Sequence, residues 1–183
     1  MYQFSNWISM QTFLPYKDFR RSLQSLDDKR LGKQRVETFQ ILNNLLGRPK
    51  KDGTPYKGWT NHPCCVMWRG YEDALKLYFN ESINVWIERG KNNTMQYEEF
   101  DVWRIKMPWW LGYGPLHASH RSNLLRKDKE YYSQHGWTDN PEDPYVWHDK
   151  DNKWYKQMVG IPVKIYYEEK VHSDSSSIQT KVG

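Results

Sequence analysis

Residues 26–42 read LDDKRLGKQRVETFQIL, and their apolar side chains recur at the spacing of an amphipathic helix. At about 100° per residue, Arg30, Lys33 and Glu37 fall together on one side of that helix, and the leucines fall on the other. Two interpretations of the charged side stay open here. It is either a solvated surface, where an ion pair is worth less than about 1 kcal/mol, or a face that holds a charged substrate.

Two details favour a binding face. Lys33 precedes Glu37 by four residues, which is the weaker orientation for a helical ion pair, and Gly32 lowers helix propensity where a plain surface would gain from alanine. A glycine would let another backbone, such as a nucleic acid strand, approach closely. Because surrounding cations lower the pKa of a lone carboxylate, we expect Glu37 to be ionised at neutral pH and to act as a base or an electrostatic stabiliser.

The composition favours an intracellular domain that binds a polyanion. The 183 residues carry 27 Lys and Arg against 22 Asp and Glu, a formal net charge of +5, and 16% of them are aromatic. Cations interleaved with flat rings suit phosphates and bases together. No apolar run reaches the roughly 20 residues that a membrane span needs, and two adjacent cysteines make no metal pattern. We expect a monomer in the cytoplasm or, in a eukaryote, in the nucleus.

Three main helices are predicted, joined by long aromatic loops rich in Pro and Gly. The first begins near Ser22 or Ser25 and ends before Gly47. The second covers residues 63–89, and the third covers residues 119–132. This pattern predicts an all-α fold, in which the helices pack as a single compact domain.

The predicted domain occupies residues 10–147. An N-terminal extension covers residues 1–9, and a C-terminal extension covers residues 148–183. Within the latter, residues 153–170 are read as extended, and the last ~12 residues are expected to be disordered.

Other candidate contacts lie outside the charged helix. Trp109 and Trp110 stand in an irregular loop that could project rings into a duplex, although a lid over the core is the alternative. His117 and His120 have a weak H-x-x-H spacing with no acidic third ligand, so we expect no metal. The residues predicted to contact phosphate, sugar or base are Arg30, Arg35, His62, Arg69, Trp109, Trp110, His117, His120, Arg121 and Lys127.

Several motifs give the chain a resemblance to a known family. They are MQTFLPYKDF (10–19), LDDKRLGKQRVE (26–37), NHPCCVMWRGYEDAL (61–75), PWWLG (108–112), HASHRSNLLRKDKEYY (117–132) and PYVW (144–147). Spanning Met10 to Trp147, they resemble the pyrimidine-dimer DNA glycosylases with abasic-site lyase activity, of the phage endonuclease V type. The likeness is closest to a branch of small proteins grouped with that family.

The resemblance implies an all-helical enzyme that kinks duplex DNA and displaces a base, without a metal or another cofactor. Glu37 lies over the catalytic glutamate of the phage enzyme and inherits its role. Residues 153–160, KWYKQMVG, are similar to the aromatic and basic tail that touches DNA in that enzyme. In the family, an N-terminal α-amine attacks the sugar, expels the base and leaves an imine, and elimination then nicks the strand.

The identity of the attacking amine stays open, because the N-terminal residues of this chain depart from the family pattern. The phage enzyme exposes a small residue after losing its methionine, whereas bulky residues follow both Met1 and Met10. The candidates are the amine of Met1, the amine of Met10 in a chain that begins there, and Lys33 with a depressed pKa. In a fourth possibility, no amine is used and Glu37 activates water.

We therefore predict a DNA glycosylase with abasic-site lyase activity that excises a damaged or modified pyrimidine, such as a pyrimidine dimer, from duplex DNA in base excision repair. Glu37, Lys33 and Met10 are its predicted catalytic residues. The alternatives are a non-catalytic nucleic-acid-binding module that uses the same basic face, and a hydrolase of modified nucleotides or RNA.

Overall fold

The computed structural model describes residues 10–56 and 59–168 of the chain. Within these ranges six helices precede a three-stranded sheet. The helices are α1 (Phe19–Gln24), α2 (Asp28–Leu45), α3 (Pro63–Trp68), α4 (Glu72–Glu88), α5 (Gly114–Lys127) and α6 (Lys129–Tyr132), and the strands are β1 (Tyr145–His148), β2 (Trp154–Gln157) and β3 (Ile165–Tyr166). Of the helices in the described ranges, none combines the length and the apolar character needed to cross a membrane.

The prediction of an all-α fold is wrong, because the helices are joined by an antiparallel sheet in the order β1-β2-β3. Tyr145 of β1 lies opposite Gln157, and Tyr155 of β2 lies opposite Tyr166. All four residues of β1 are buried, so its sequence YVWH lacks the alternation that marks a half-buried strand. A continuous apolar run this short cannot be assigned to a strand by periodicity alone.

Each predicted helix is divided in two by a local signal. Before α2, the Asp27 carboxylate accepts the Arg30 N–H at 3.0 Å and caps the helix. Between α3 and α4, Gly70 adopts a φ of 84°, which a helix cannot contain. Before α6, the Asp128 carboxylate accepts the Tyr131 N–H at 3.0 Å. These breaks let successive helices turn their apolar sides toward one core.

Residues 10–14 run irregularly through the middle of that core, and all five are buried. The Trp68 indole of α3 donates to the Thr12 hydroxyl at 2.8 Å. At Leu14, the main-chain N–H donates to Nδ1 of His120 at 2.8 Å, and the carbonyl accepts from Nδ1 of His117 at 2.7 Å. The segment is therefore fixed to α3 and α5 by side chains that meet its backbone groups.

The side-chain amide of Gln34, itself 1% exposed, fixes the same segment to α2. Its Nε2 donates to the Gln11 carbonyl at 2.6 Å, and its Oε1 accepts the Phe13 N–H at 2.9 Å. The Tyr78 hydroxyl of α4 donates to the same Oε1 at 2.9 Å. Because Glu37 lies three residues further along α2, it is held facing residues 10–14.

Gly32 serves helix packing in place of the predicted approach of a nucleic acid strand. A Cβ added there would lie 3.2 Å from Cζ3 of Trp86 on α4. Arg35 of α2 covers the same indole, with its guanidinium carbon 4.0 Å from the ring centroid. The glycine thus lets the Trp86 ring lie against the backbone of α2.

Of the two predicted extensions, the structure describes only the first part of the C-terminal one. Trp154 and Tyr155 of β2 belong to the hydrophobic core, so the start of the C-terminal extension packs with the helices. Residues 1–9, with the Met1 amine, lie outside the described residues, as do the last ~12 residues with their predicted disorder. The boundary between residues 147 and 148 stays a prediction.

We expect Gln34→Ala to lower the free energy of unfolding by about 2 to 4 kcal/mol, because the buried Gln11 carbonyl and Phe13 N–H lose their partner at roughly 1–3 kcal/mol each. Urea denaturation followed by tryptophan fluorescence measures the change. Gln40→Ala is the matched control on the same helix, since the Gln40 side chain makes no hydrogen bond to the described residues. It should cost less than about 0.5 kcal/mol, and equal losses in the two variants would contradict the role assigned to Gln34.

Candidate active site

Glu37 lies in a cleft of about 130 Å³ that four cationic side chains line. The cleft is lined by Phe13, Lys29, Arg30, Lys33, Gln34, Glu37 and Lys127. These residues come from α2, from the segment 10–14 and from the C-terminal end of α5. Glu37 is only 7% exposed, so its carboxylate faces a positively charged groove and not bulk solvent.

The Glu37 carboxylate is held on several sides. Nζ of Lys33 lies 3.2 Å from its Oε1, and Nε2 of Gln34 donates to its Oε2 at 3.4 Å. The main-chain N–H of Gln11 also stabilises the ionised form. The carboxylate is therefore oriented by groups from both walls of the cleft, and its position follows from that of residues 10–14.

Burial raises the pKa of the Glu37 carboxyl above its ordinary value, although Lys33, the Gln11 N–H and Lys127 act in the opposite direction. The expectation that the surrounding cations would lower this pKa is wrong, because removal of the charge from water outweighs their attraction. Glu37 consequently exchanges a proton nearer to neutral pH than a surface glutamate does. Such a group can serve as an acid in one step and as a base in another.

The four cations differ in what they already bind. Lys33 is paired with Glu37, and Nη1 of Arg30 lies 2.6 Å from Oδ2 of Asp27. Lys29 and Lys127 make no hydrogen bond or ion pair with the described residues. Neither amine is held in a close ion pair, although Glu37 attracts that of Lys127, so an anionic ligand in the cleft would meet them directly.

The structure does not bring the predicted histidines to the cleft wall. His117 and His120 are 6% and 2% exposed, and both use Nδ1 on the backbone of Leu14. Burial lowers the pKa of each imidazole, so both favour the neutral form. His62, 2% exposed, caps α3 by accepting the Cys64 N–H at 3.2 Å. These side chains hold the fold together and leave little surface for a phosphate.

Three predicted arginine contacts also have partners within the fold. Arg35 lies on the side of α2 that faces α4, where Nη1 donates to Asn93 at 2.9 Å. Arg69 donates to the Thr60 carbonyl at 2.6 Å, beside the end of α3. Arg121 forms a two-point ion pair with Asp139 at 2.7 and 3.0 Å. None of the three lines the cleft around Glu37.

The two loop tryptophans have different environments. Trp110 is 1% exposed and donates its indole N–H to the Met67 carbonyl at 2.9 Å, so it belongs to the core. Trp109 is 47% exposed and packs against His148 and Trp154, with ring centroids 5.0 and 5.4 Å apart. Of these two tryptophans, Trp109 is therefore the one that is exposed to solvent.

Three residues that line the cleft were not predicted from the sequence. Lys29 stands in the first turn of α2, and its charge beside Arg30 was the available signal. Gln34 lies three residues before Glu37, so helical spacing could have placed it on the same face. Phe13 gave no local signal, because its proximity to α2 arises from the tertiary fold. Met10, a predicted catalytic residue, is 3% exposed and adjoins Gln11, but it does not line the cleft.

Within residues 10–56 and 59–168, no three His, Cys, Asp or Glu side chains come together as a metal site. Cys64 and Cys65 are both buried free thiols.

Residues 10–99 match the sequence model of the family described as pyrimidine dimer DNA glycosylase. The match covers just under half of the 183 residues, includes all of α2 and confirms the resemblance drawn from the motifs. Neither the search of curated proteins nor that of solved structures finds a match.

We expect Glu37→Gln to raise the free energy of unfolding at neutral pH, because the substitution removes a charge that burial penalises. The folded pKa lies above the unfolded value of about 4.3, so the penalty is complete above the folded pKa and vanishes as the pH falls toward the unfolded one. Thermal unfolding at pH values from about 4 to 8 measures this gain. Glu99→Gln, which changes an exposed side chain, is the control, and a gain that grows toward acid would contradict the assignment.

Proposed function

Since residues 10–99 match the pyrimidine dimer DNA glycosylase family, we propose that this protein is a DNA N-glycosylase with abasic-site lyase activity, acting on damaged or modified pyrimidines in duplex DNA. The observation that carries the proposal is the burial of Glu37 in a cationic cleft on α2, inside the matched segment. We further propose that it acts as a monomer inside the cell, without a metal or another cofactor.

The charges of the cleft support a nucleic acid substrate. Its lining carries four cationic side chains against a single carboxylate. Lysine and arginine side chains that neutralise phosphates supply most of the sequence-independent affinity for DNA. A phosphate that flanks the damaged nucleotide would bind Lys29, while Glu37 faces the sugar.

The size of the cleft supports a substrate that is rotated out of the helix. A volume of about 130 Å³ corresponds to about four water molecules at roughly 30 Å³ each. Such a space suits a group the size of a furanose ring. Extrusion of the nucleotide needs less energy at a damaged site, where stacking is already weakened, and this difference contributes selectivity.

The environment of Glu37 suits both chemical steps. When the bond to the base breaks, positive charge develops on the sugar, and an ionised carboxylate beside it stabilises that charge. Because burial raises the pKa of Glu37, the same group can also deliver a proton to the departing base or remove one from the sugar. In a glycosylase that is also a lyase, an amine takes the place of water as the nucleophile that expels the base, and the imine it forms permits the later elimination.

We expect Glu37→Gln to reduce base release from a duplex with a single pyrimidine dimer by about 10² to 10⁴-fold, since it removes the proton-transferring group. The dissociation constant for the same duplex should change by less than about threefold, since cations provide the phosphate contacts. Single-turnover cleavage and fluorescence anisotropy measure the two quantities. Glu99→Gln is the control variant. Full turnover in Glu37→Gln would remove Glu37 from the mechanism, and absence of turnover in the unaltered protein would favour a binding module or another hydrolase.

We expect Lys29→Ala to weaken DNA binding about equally for damaged and undamaged duplexes. Because one phosphate contact is lost, the slope of log K against log salt concentration should decrease in magnitude by about 0.9. Anisotropy titrations between about 50 and 200 mM salt measure this slope. Lys76→Ala is the control, because Lys76 already pairs with Asp73 at 3.0 Å on α4. An unchanged slope in Lys29→Ala would place the DNA elsewhere.

A further inference from the structure

Three primary amines line the Glu37 cleft, those of Lys29, Lys33 and Lys127. Nζ of Lys33 lies 3.2 Å from Oε1 of Glu37, so this amine is engaged in an ion pair. The other two amines of the cleft, those of Lys29 and Lys127, make no ion pair with the described residues.

Lys127 differs from Lys29 in its position and surroundings. It is the last residue of α5, so it lines the cleft from a different helix than Lys29 and Lys33. The neighbouring carboxylate of Asp128 caps α6 through Tyr131 and lies 3.9 Å from Arg30, and it forms no ion pair with Lys127. The Lys127 amine thus points into the site without a carboxylate bound to it.

The charges around Lys127 favour its reactive form. Lys127 is classed with the exposed residues, yet partial removal of its ammonium from water lowers the pKa of that group. The positive charges of Arg30, Lys33 and Arg126 lower this pKa further, whereas Glu37 acts in the opposite direction. A larger fraction is therefore unprotonated at neutral pH than for an ordinary lysine, whose pKa is near 10.4. Cationic neighbours activate nucleophilic lysines in the same way in other enzymes.

We propose that Nζ of Lys127 is the nucleophile that forms the covalent intermediate with C1′ of the damaged nucleotide. This inference rests on the proposed function and assigns to the lyase step a group that was predicted only as a DNA contact. Met10 does not line the cleft. The Met1 amine lies outside the described residues.

In the first step, the lone pair of Nζ forms a bond to C1′. The glycosidic bond breaks, and its electron pair leaves with the base, which takes a proton from Glu37. One of the two protons on the attached nitrogen then passes to O4′ as the C1′–O4′ bond opens, which leaves a protonated imine.

In the second step, the Glu37 carboxylate removes a proton from C2′. The electrons of that C–H bond form the C2′–C3′ double bond, and the C3′–O bond breaks, with its electron pair leaving on the phosphate. Water then hydrolyses the imine and releases the Lys127 amine and the sugar aldehyde.

The experiment is borohydride reduction of the full-length chain on a duplex with one abasic site, followed by proteolysis and mass spectrometry. We expect the reduced adduct on Lys127. We also expect Lys127→Arg, which keeps the positive charge, to lower trapping by on the order of 10³-fold while DNA affinity changes by less than about threefold. Lys129→Arg is the matched control, since this nearby exposed lysine does not line the cleft, and it should trap as well as the unaltered chain.

The outcomes separate this inference from the proposed function. An adduct on Lys33, on another lysine or on an α-amine overturns the assignment to Lys127 but retains the glycosylase and lyase. Base release from dimer-containing duplex without any adduct overturns the covalent step and leaves a glycosylase that uses water. If the unaltered chain neither releases a base nor forms an adduct, the proposed function itself fails. Because the adduct is located on the unaltered chain, the result does not depend on the folding of a variant.

Discussion

The side-chain amide of Gln34 joins the middle of α2 to residues 10–14 through both of its polar atoms. This pairing resembles that of a peptide group, because one amide end donates and the other accepts. It brings the Gln11 N–H to the Glu37 carboxylate and Phe13 to the cleft wall. Without it, the charged face of α2 would lack the opposite wall that makes it a cleft, so the geometry around Glu37 follows from one buried hydrogen-bonding group.

Charge and burial oppose each other at Glu37. The nearby lysines favour the ionised carboxylate, but the cleft removes it from water, and burial has the larger effect on its pKa. A surface optimised only for stability would not bury a lone carboxylate in this way. Perturbed titration beside unpaired cations is instead characteristic of sites where protons are transferred. Lys127 shows the complementary shift, with its ammonium destabilised by burial and by its cationic neighbours.

Local periodicity was sufficient to group Arg30, Lys33 and Glu37, since all three lie on one helix. It could not identify Phe13 and Lys127 as their neighbours. Phe13 reaches the cleft from the start of the described chain, and Lys127 reaches it from α5. Nor could residue type alone distinguish the residues of the cleft from residues that stabilise the fold. His117 and His120 have side chains suited to phosphate binding, yet they satisfy the backbone of Leu14. Strand β1 escaped prediction because it is uniformly buried and lacks alternation, whereas β2 and β3 lie within residues 153–170, which were read as extended.

The path of residues 10–14 also constrains when the domain can form during synthesis. The hydrogen bonds of Leu14 to His117 and His120 span 103 and 106 residues of sequence. While the ribosome is still making the intervening helices, this early segment has no imidazole partner for its backbone. Contacts of such long range slow folding, so we expect the central segment to settle only after α5 has left the exit tunnel. Until then, helices α1 to α4 must persist as an incomplete core that exposes apolar surface to chaperones.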